Sequence, residues 1–178
     1  MKSLISTGCL ILCLLALLTG ASAQQMLNFS DLPLVNIPSP MPSGYGQLDW
    51  GNFFFVNPYG WSGAGPGYQL GGQSADVAFI GGKQCRLYGY ACYGTLASAR
   101  GFQLVNARVA GGFGPTAITV SAYNNGTFVG LANYFVTTNM QTLIFPPTWG
   151  VVTQVIIQAS GESGDLVVYG VSLYTLGG

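Results

Sequence analysis

The chain has 178 residues, of which five are Lys or Arg, five are Asp or Glu, and none is His. Charged residues make up 6% of it, against roughly a quarter in an average soluble domain. So few scattered cations cannot form the basic patch that nucleic-acid binding needs. A chain without His also has no Ser–His–Asp triad, no imidazole general base and no His metal ligand.

The N-terminal segment reads as a secretory leader. Lys2 precedes an apolar run over residues 10–18, and Ala21-Ser22-Ala23 supplies the small-x-small pattern that signal peptidase recognises. The run is shorter than the ~20 residues a bilayer core requires, so no membrane span is expected. Cleavage after Ala23 leaves residues 24–178 as one secreted domain. Its four cations (Lys83, Arg86, Arg100, Arg108) face five acids (Asp31, Asp49, Asp76, Glu162, Asp165). Cys9 and Cys13 leave with the leader. Cys85 and Cys92 remain, and an oxidising compartment favours their pairing. The closed loop is short, so the staple is worth about 2.5 kcal/mol in the loop-entropy treatment. Two sequons, Asn28-Phe29-Ser30 and Asn125-Gly126-Thr127, predict N-glycosylation. The second falls in an exposed turn; Asn28 is expected in a strand and partly buried.

Period-two alternation dominates after the leader, which predicts an all-β antiparallel sandwich or jelly roll of about ten short strands. In chain order the candidates are 26–32, 48–56, 76–80, 86–92 and 102–110. A hairpin follows, with Ile118, Val120 and Ala122 on one face of its first strand and Asn125-Gly126 in a type I′ turn; the return strand is 127–136. Next come 141–145, then 151–159 with Val151, Val155 and Ile157 on one face. The last is 166–175, with Val167, Tyr169, Val171 and Leu173 together. Two long loops interrupt the pattern. Residues 33–46 contain four prolines and residues 57–72 six glycines. Loops of this length often carry function.

Chemistry is scarce. Glycoside hydrolysis normally uses two carboxylates, and Glu162 with Asp165 is the one closely spaced pair. A polar Gly/Ser turn is a poor place to raise an acid pKa. Asp49 lies beside Trp50, a neighbour that could mark a sugar site, although Trp50 and Trp149 read as core. No G-x-S-x-G elbow is present. The reading is therefore a non-catalytic protein. Binding is the better use of these residues, because aromatic rings stack on the apolar faces of sugars while amides and backbone groups meet the hydroxyls. The Gly-rich loop carries Tyr59, Trp61 and Tyr68 with Asn57 and Gln69, a candidate glycan platform. The same rings could instead fold back and seal one end of the sandwich.

The stretch FSDLPLVNIPSPMPSGYGQLDWGNFFFVNP, through Phe29, Asp31, Leu32, Tyr45, Gly46, Leu48, Trp50, Asn52 and Phe53, resembles the opening of a group of small secreted β-sandwich proteins of fungi with bacterial cell-surface relatives. The later FQLVNARVAGGFGPTAITVSAYNNGTFVG and the closing segment from Trp149 to Tyr174 resemble the same group. The resemblance implies a carbohydrate-binding jelly roll and, for plant-associated fungi, an effector candidate. The partner would then be a glycan or a host cell-surface protein; a wall-associated structural protein and a divergent glycan-active enzyme are the alternatives. Structural calcium in such folds would use Asp31 and an acidic last strand. Here that strand reads Val167-Val168-Tyr169-Gly170-Val171, so no cofactor is expected.

Overall fold

The computed structural model describes residues 24–70, 76–81, 93–160 and 165–176. The leader, Cys85, Cys92, Glu162 and the candidate strand 86–92 lie outside the described residues. Among the described residues, eleven strands run in the order β1 (Gln24–Leu27), β2 (Ser39–Pro40), β3 (Asp49–Gly51), β4 (Phe54–Val56), β5 (Val77–Ile80), β6 (Tyr93–Gly111), β7 (Thr116–Asn124), β8 (Thr127–Val136), β9 (Gln141–Ile144), β10 (Val152–Ser160) and β11 (Leu166–Thr175). All their pairings are antiparallel. The fold is all-β and sandwich-like, as the alternation predicts.

Hydrogen bonding links every strand into one folded sheet, and β6 is the strand that belongs to both halves. Residues 94–97 of β6 pair with β10 and β3; residues 102–111 pair with β11 and β9. One half is therefore β3–β6–β10–β7–β8. The other is β2–β4–β5–β11–β6–β9, with β1 alongside β11. Strands that change sheet do so at bends and bulges. β6 does so at Gly101, whose φ of 80° lies in the left-handed region.

The hairpin follows its sequence closely. Ile118, Val120 and Ala122 are buried, and Asn125 (φ 49°) with Gly126 (φ 78°) closes the two-residue turn. The inward face of the first half meets that of the second in a single apolar core. It takes Trp50, Leu96, Ile118, Val120 and Val155 from one side and Leu104, Val109, Leu143, Val168 and Leu173 from the other. Trp50 and Trp149 are both in this core, as expected. The Trp50 indole N–H donates to the Tyr45 carbonyl at 2.8 Å, and the ring meets Phe53 edge-on at 5.1 Å. Gly130 leaves room on β8 for the Trp149 indole, which a Cβ there would strike. A void of about 20 Å³ in this core is lined by apolar side chains, which keeps it dry.

Several expected boundaries shift, for identifiable reasons. β1 stops at Leu27 rather than 32 because Phe29 takes φ 62° and turns its ring into the core against Trp50 at 5.7 Å. The stretch 48–56 divides into β3 and β4 around Asn52, at φ 58°. β6 begins well before residue 102. Val151 is exposed, and Val152 is the buried residue instead, because the β10–β6 register shifts between Val152 and Gln154. The four residues expected on one face of β11 also separate. Val167 and Tyr169 lie on one apolar cluster, Val171 and Leu173 on the other, since the register slips between Val168 and Gly170. A one-residue slip reverses every following side chain.

Candidate functional site

The Gly-rich loop does not present its rings as a platform. Residues 57–70 lie across the outer face of β4, β5 and β11, where Val56, Val77, Phe79, Val167 and Tyr169 form a second apolar cluster. Tyr68 is fully buried there, and so is no surface ring. Its hydroxyl donates to Asp165 Oδ2 at 3.0 Å. Burial first, and the Asp165 carboxylate second, hold the Tyr68 hydroxyl well above its ordinary pKa, so it remains a donor. Trp61 is half-buried, stacked on Phe79 at 5.7 Å and edge-on to Tyr68 at 5.3 Å. The Asn57 side chain is used within the loop, where its Oδ1 accepts the Tyr59 N–H at 3.1 Å and its Nδ2 donates to Asn36 at 3.4 Å. The Tyr59 hydroxyl donates to the Gln69 carbonyl at 2.7 Å, while the Tyr59 ring stays 42% exposed. Gln69 is exposed. The five residues are together, but Tyr68 and Trp61 pack the loop onto the sheet, and the Asn57 side chain is taken up by Tyr59 and Asn36.

Asp165 is likewise not in an open polar turn. It is fully buried, its carbonyl accepts the Gly112 N–H at 2.9 Å, and its carboxylate takes the Tyr68 proton donor. A general acid there would have no access to a sugar. Asp31 accepts the Tyr45 hydroxyl at 2.7 Å. Among the described residues no three His, Cys, Asp or Glu side chains group into a metal site.

An open cleft of about 590 Å³ lies elsewhere, where β6 changes sheet. Its walls are Gln47, Asp49, Ser98, Ala99, Arg100, Gly101, Thr175 and Leu176. The size suits a small ligand or a few sugar residues of a longer one. The register explains how it forms. Ala97 of β6 pairs with Gln154 and Phe102 with Val152, so residues 98–101 have no ladder partner on β10 and only Thr153 lies opposite them. This wide bulge lifts Ser98, Ala99 and Arg100 out of the sheet, and Gly101 supplies the left-handed turn that returns the strand. The facing wall is the turn before β3. Gly44 (φ 74°), Gly46 (φ 61°) and Gln47 (φ 65°) all take left-handed backbone there, so Gln47 is held in a conformation that costs roughly 1–2 kcal/mol. A Cβ at Gly46 would also meet the Leu27 side chain, which would have to shift.

The cleft contains one acid and one base that do not neutralise each other. Among the described residues, Asp49 accepts only the Ser43 hydroxyl, at 3.5 Å and so at the limit of a hydrogen bond. Arg100 is exposed and makes no hydrogen bond or ion pair with a described residue. In the sequence, Asp49 beside Trp50 could mark a sugar site or equally be an outward strand residue. Gln47, Ser98, Arg100 and Gly101 carry no such mark; in the run 98–101 the signal is Ala99 and Gly101, residue types depleted in strands.

One titratable group sits apart from the cleft. Asp76, just before β5, is 2% exposed, and neither carboxylate oxygen has a hydrogen-bond partner among the described residues. Burial pushes its pKa from 3.8 up to about 6. The folded protein therefore binds a proton more tightly here than the unfolded chain does. This group's effect is least unfavourable below about pH 4, and stability falls as pH rises toward 6. Asp76→Asn should flatten that slope and raise stability at pH 7 by on the order of 2 kcal/mol. Urea midpoints of both proteins across this pH range test it; parallel curves would contradict it.

No family model and no curated protein sequence matches the chain. Among solved structures, it is similar to a DUF4465 family protein from Bacteroides caccae, with a TM-score of 0.56 at 10% identity. The match covers 89% of this chain and 95% of that one. At that identity the likeness speaks for the fold: a bacterial β-rich protein shares this strand arrangement over nearly its whole length.

Proposed function

We propose that the chain is a secreted, non-catalytic β-sandwich protein that binds glycan through the cleft at the β6 bulge. The observation that carries this is the pair Asp49 and Arg100, in one open cleft and not engaged with each other. Sugar hydroxyls both donate and accept. Asp49 offers an acceptor, Arg100 and Gln47 offer donors, and Ser98 offers both. Capture would be mainly polar, with Ala99 and Leu176 as the apolar contacts. A cleft with a single carboxylate among its described lining residues suits recognition better than two-carboxylate hydrolysis.

The setting belongs to the same proposal and rests on the sequence. Cleavage after Ala23 would make Gln24 the mature N-terminus. Gln24, at the start of the described part of β1, pairs with Tyr174. The proposal includes the Cys85–Cys92 disulfide and glycans at Asn28 and Asn125. Both asparagines are exposed, Asn28 in an Asx turn in which its Oδ1 accepts the Ser30 hydroxyl at 2.8 Å. The resemblance to fungal secreted proteins suggests a cell wall or host–microbe surface as the place of action.

The test is a glycan array followed by calorimetry with the secreted protein. Asp49→Ala and Arg100→Ala should each weaken binding about tenfold or more, as expected for lost charged hydrogen bonds. Tyr59→Ala, on the other loop, should bind as the parent does. A silent array, or unchanged affinity in both cleft variants, would reject the reading.

A further inference from the structure

The turn of the β7–β8 hairpin holds a sequon beside a pair of rings. Asn125 and Gly126 form the turn, and Asn124 pairs with Thr127 to close it. Asn125 and Thr127 are exposed, and nothing lies within 4 Å of a Cβ built at Gly126, so the Asn125-Gly126-Thr127 acceptor stands clear of the domain. The Asn125 N–H donates to Thr153 Oγ1 at 2.8 Å, which fixes the acceptor's backbone against β10.

A bulge brings the rings together. Ala122 pairs with Gly130, so an unbroken ladder would set Tyr123 against Val129. The bulge at Val129 sets it against Phe128 instead. Residues directly opposite in an antiparallel pair point to the same side. Tyr123 and Phe128 accordingly meet edge-on, with centroids 5.7 Å apart and planes at 68°. Their shared side is the outer one, since Ala122 beside them is in the core. The neighbours there are polar: Ser121 on β7, and on β10 Gln154, which pairs with Tyr123. Phe128 is 56% exposed and Tyr123 partly so. The pair is an island of apolar surface on a polar face.

The sequon decides what covers it. Tyr123 lies two residues before Asn125, about 7 Å along the strand, and Phe128 three residues after it. A sugar joined to the Asn125 side chain is therefore held beside the rings, at an effective concentration of about millimolar or more. An N-linked chain begins with N-acetylglucosamine. Its pyranose ring has an apolar C–H face, its acetyl group ends in a methyl, and it carries no charge that would need a partner. We infer that the first sugar of an Asn125-linked glycan packs on the Tyr123–Phe128 ring pair and becomes part of the hairpin's structure. The contact rests on the Asn125 glycan of the function proposed above and uses no residue of the cleft, so a silent glycan array would leave it standing.

The test uses protein secreted by a glycosylating host and trimmed by endoglycosidase to a single N-acetylglucosamine, beside the same protein from a host that adds none. Ser30→Ala in every sample removes the Asn28 sequon. Mass spectrometry should find Asn125 modified; an unmodified Asn125 would overturn the inference and leave the cleft reading untouched. With both rings present, the sugar should raise the melting temperature by about 2–4 °C, the shift that one aromatic contact gives at this chain length. With Tyr123→Thr and Phe128→Thr together, the sugar's effect should fall below about 1 °C. Circular dichroism checks that this variant is folded. Proton NMR of the parent needs no variant: ring currents should move the sugar's ring and acetyl protons upfield of their positions in the unfolded protein. An equal sugar effect with and without the rings, or unmoved sugar protons, would also overturn it.

Discussion

Tyr68→Ala should destabilise the protein by about 3–5 kcal/mol, the usual range for a fully buried aromatic side chain replaced by alanine. The ring has no solvent exposure. It touches Trp61, Phe79 and Phe113 within 5.3 to 5.7 Å, so its removal empties the centre of the second apolar cluster. Tyr68→Phe separates the polar part of the effect. It keeps the ring and removes the proton that Asp165 Oδ2 accepts, which should cost roughly 1–3 kcal/mol. Urea unfolding measures both, and an unchanged slope would show that stability alone has moved. A cost below about 1 kcal/mol for Tyr68→Ala would mean that the loop is not sealed on the sheet, and that Tyr68 could still meet a ligand.

Gly67→Ala comes next in expected size, for a different reason. A Cβ at this position would run into the Gly111 carbonyl oxygen and approach Gly112 Cα to 3.1 Å. These are backbone atoms and no rotamer change moves them. The approach is close because the loop is tied down here: the Gly67 N–H donates to the Gly112 carbonyl at 2.9 Å, and the Gly67 carbonyl accepts the Tyr169 hydroxyl. A loss of roughly 2–4 kcal/mol is expected, with proteolytic nicking within residues 57–70 as the loop lifts. Gly126→Ala is the comparison. It has open space around it but a φ of 78°, so it should lose only about 1–2 kcal/mol, from backbone strain. Equal losses at the two positions would argue that backbone strain, and not close approach, governs Gly67.

The two fates of the aromatic residues show what can be read from this sequence. In the hairpin, one face of β7 is apolar and the other polar, and the Asn-Gly pair specifies the turn, so strand, face and turn all follow, while the bulge at Val129 that shifts the register beyond Tyr123 does not. In the loop, Tyr59, Trp61 and Tyr68 stand among glycines, a composition that serves a binding surface or a lid equally well. The deciding information is in other strands. β5 is apolar on both faces, Val77 and Phe79 on one and Ala78 and Ile80 on the other, and a strand of that kind needs cover on both sides. That cover is the loop. β11 carries the same message, yet its bulge at Tyr169 scrambles the simple alternation from which faces are read. The cleft was not legible: Asp49 beside Trp50 reads equally as an outward strand residue, and Arg100 reaches the same cleft only because four residues of β6 leave the ladder. A bulge of that size has no periodic signature.

Those four residues also separate two properties that are usually linked. Ser98 to Gly101 have no partner in any strand pairing, whereas Leu96 and Phe102 on either side are buried in the core. Side chains at 98, 99 and 100 can change without breaking a ladder bond or opening the core. Gly101 alone must keep its left-handed backbone. The cleft is thus a place where recognition can diversify while the sandwich beneath it stays the same.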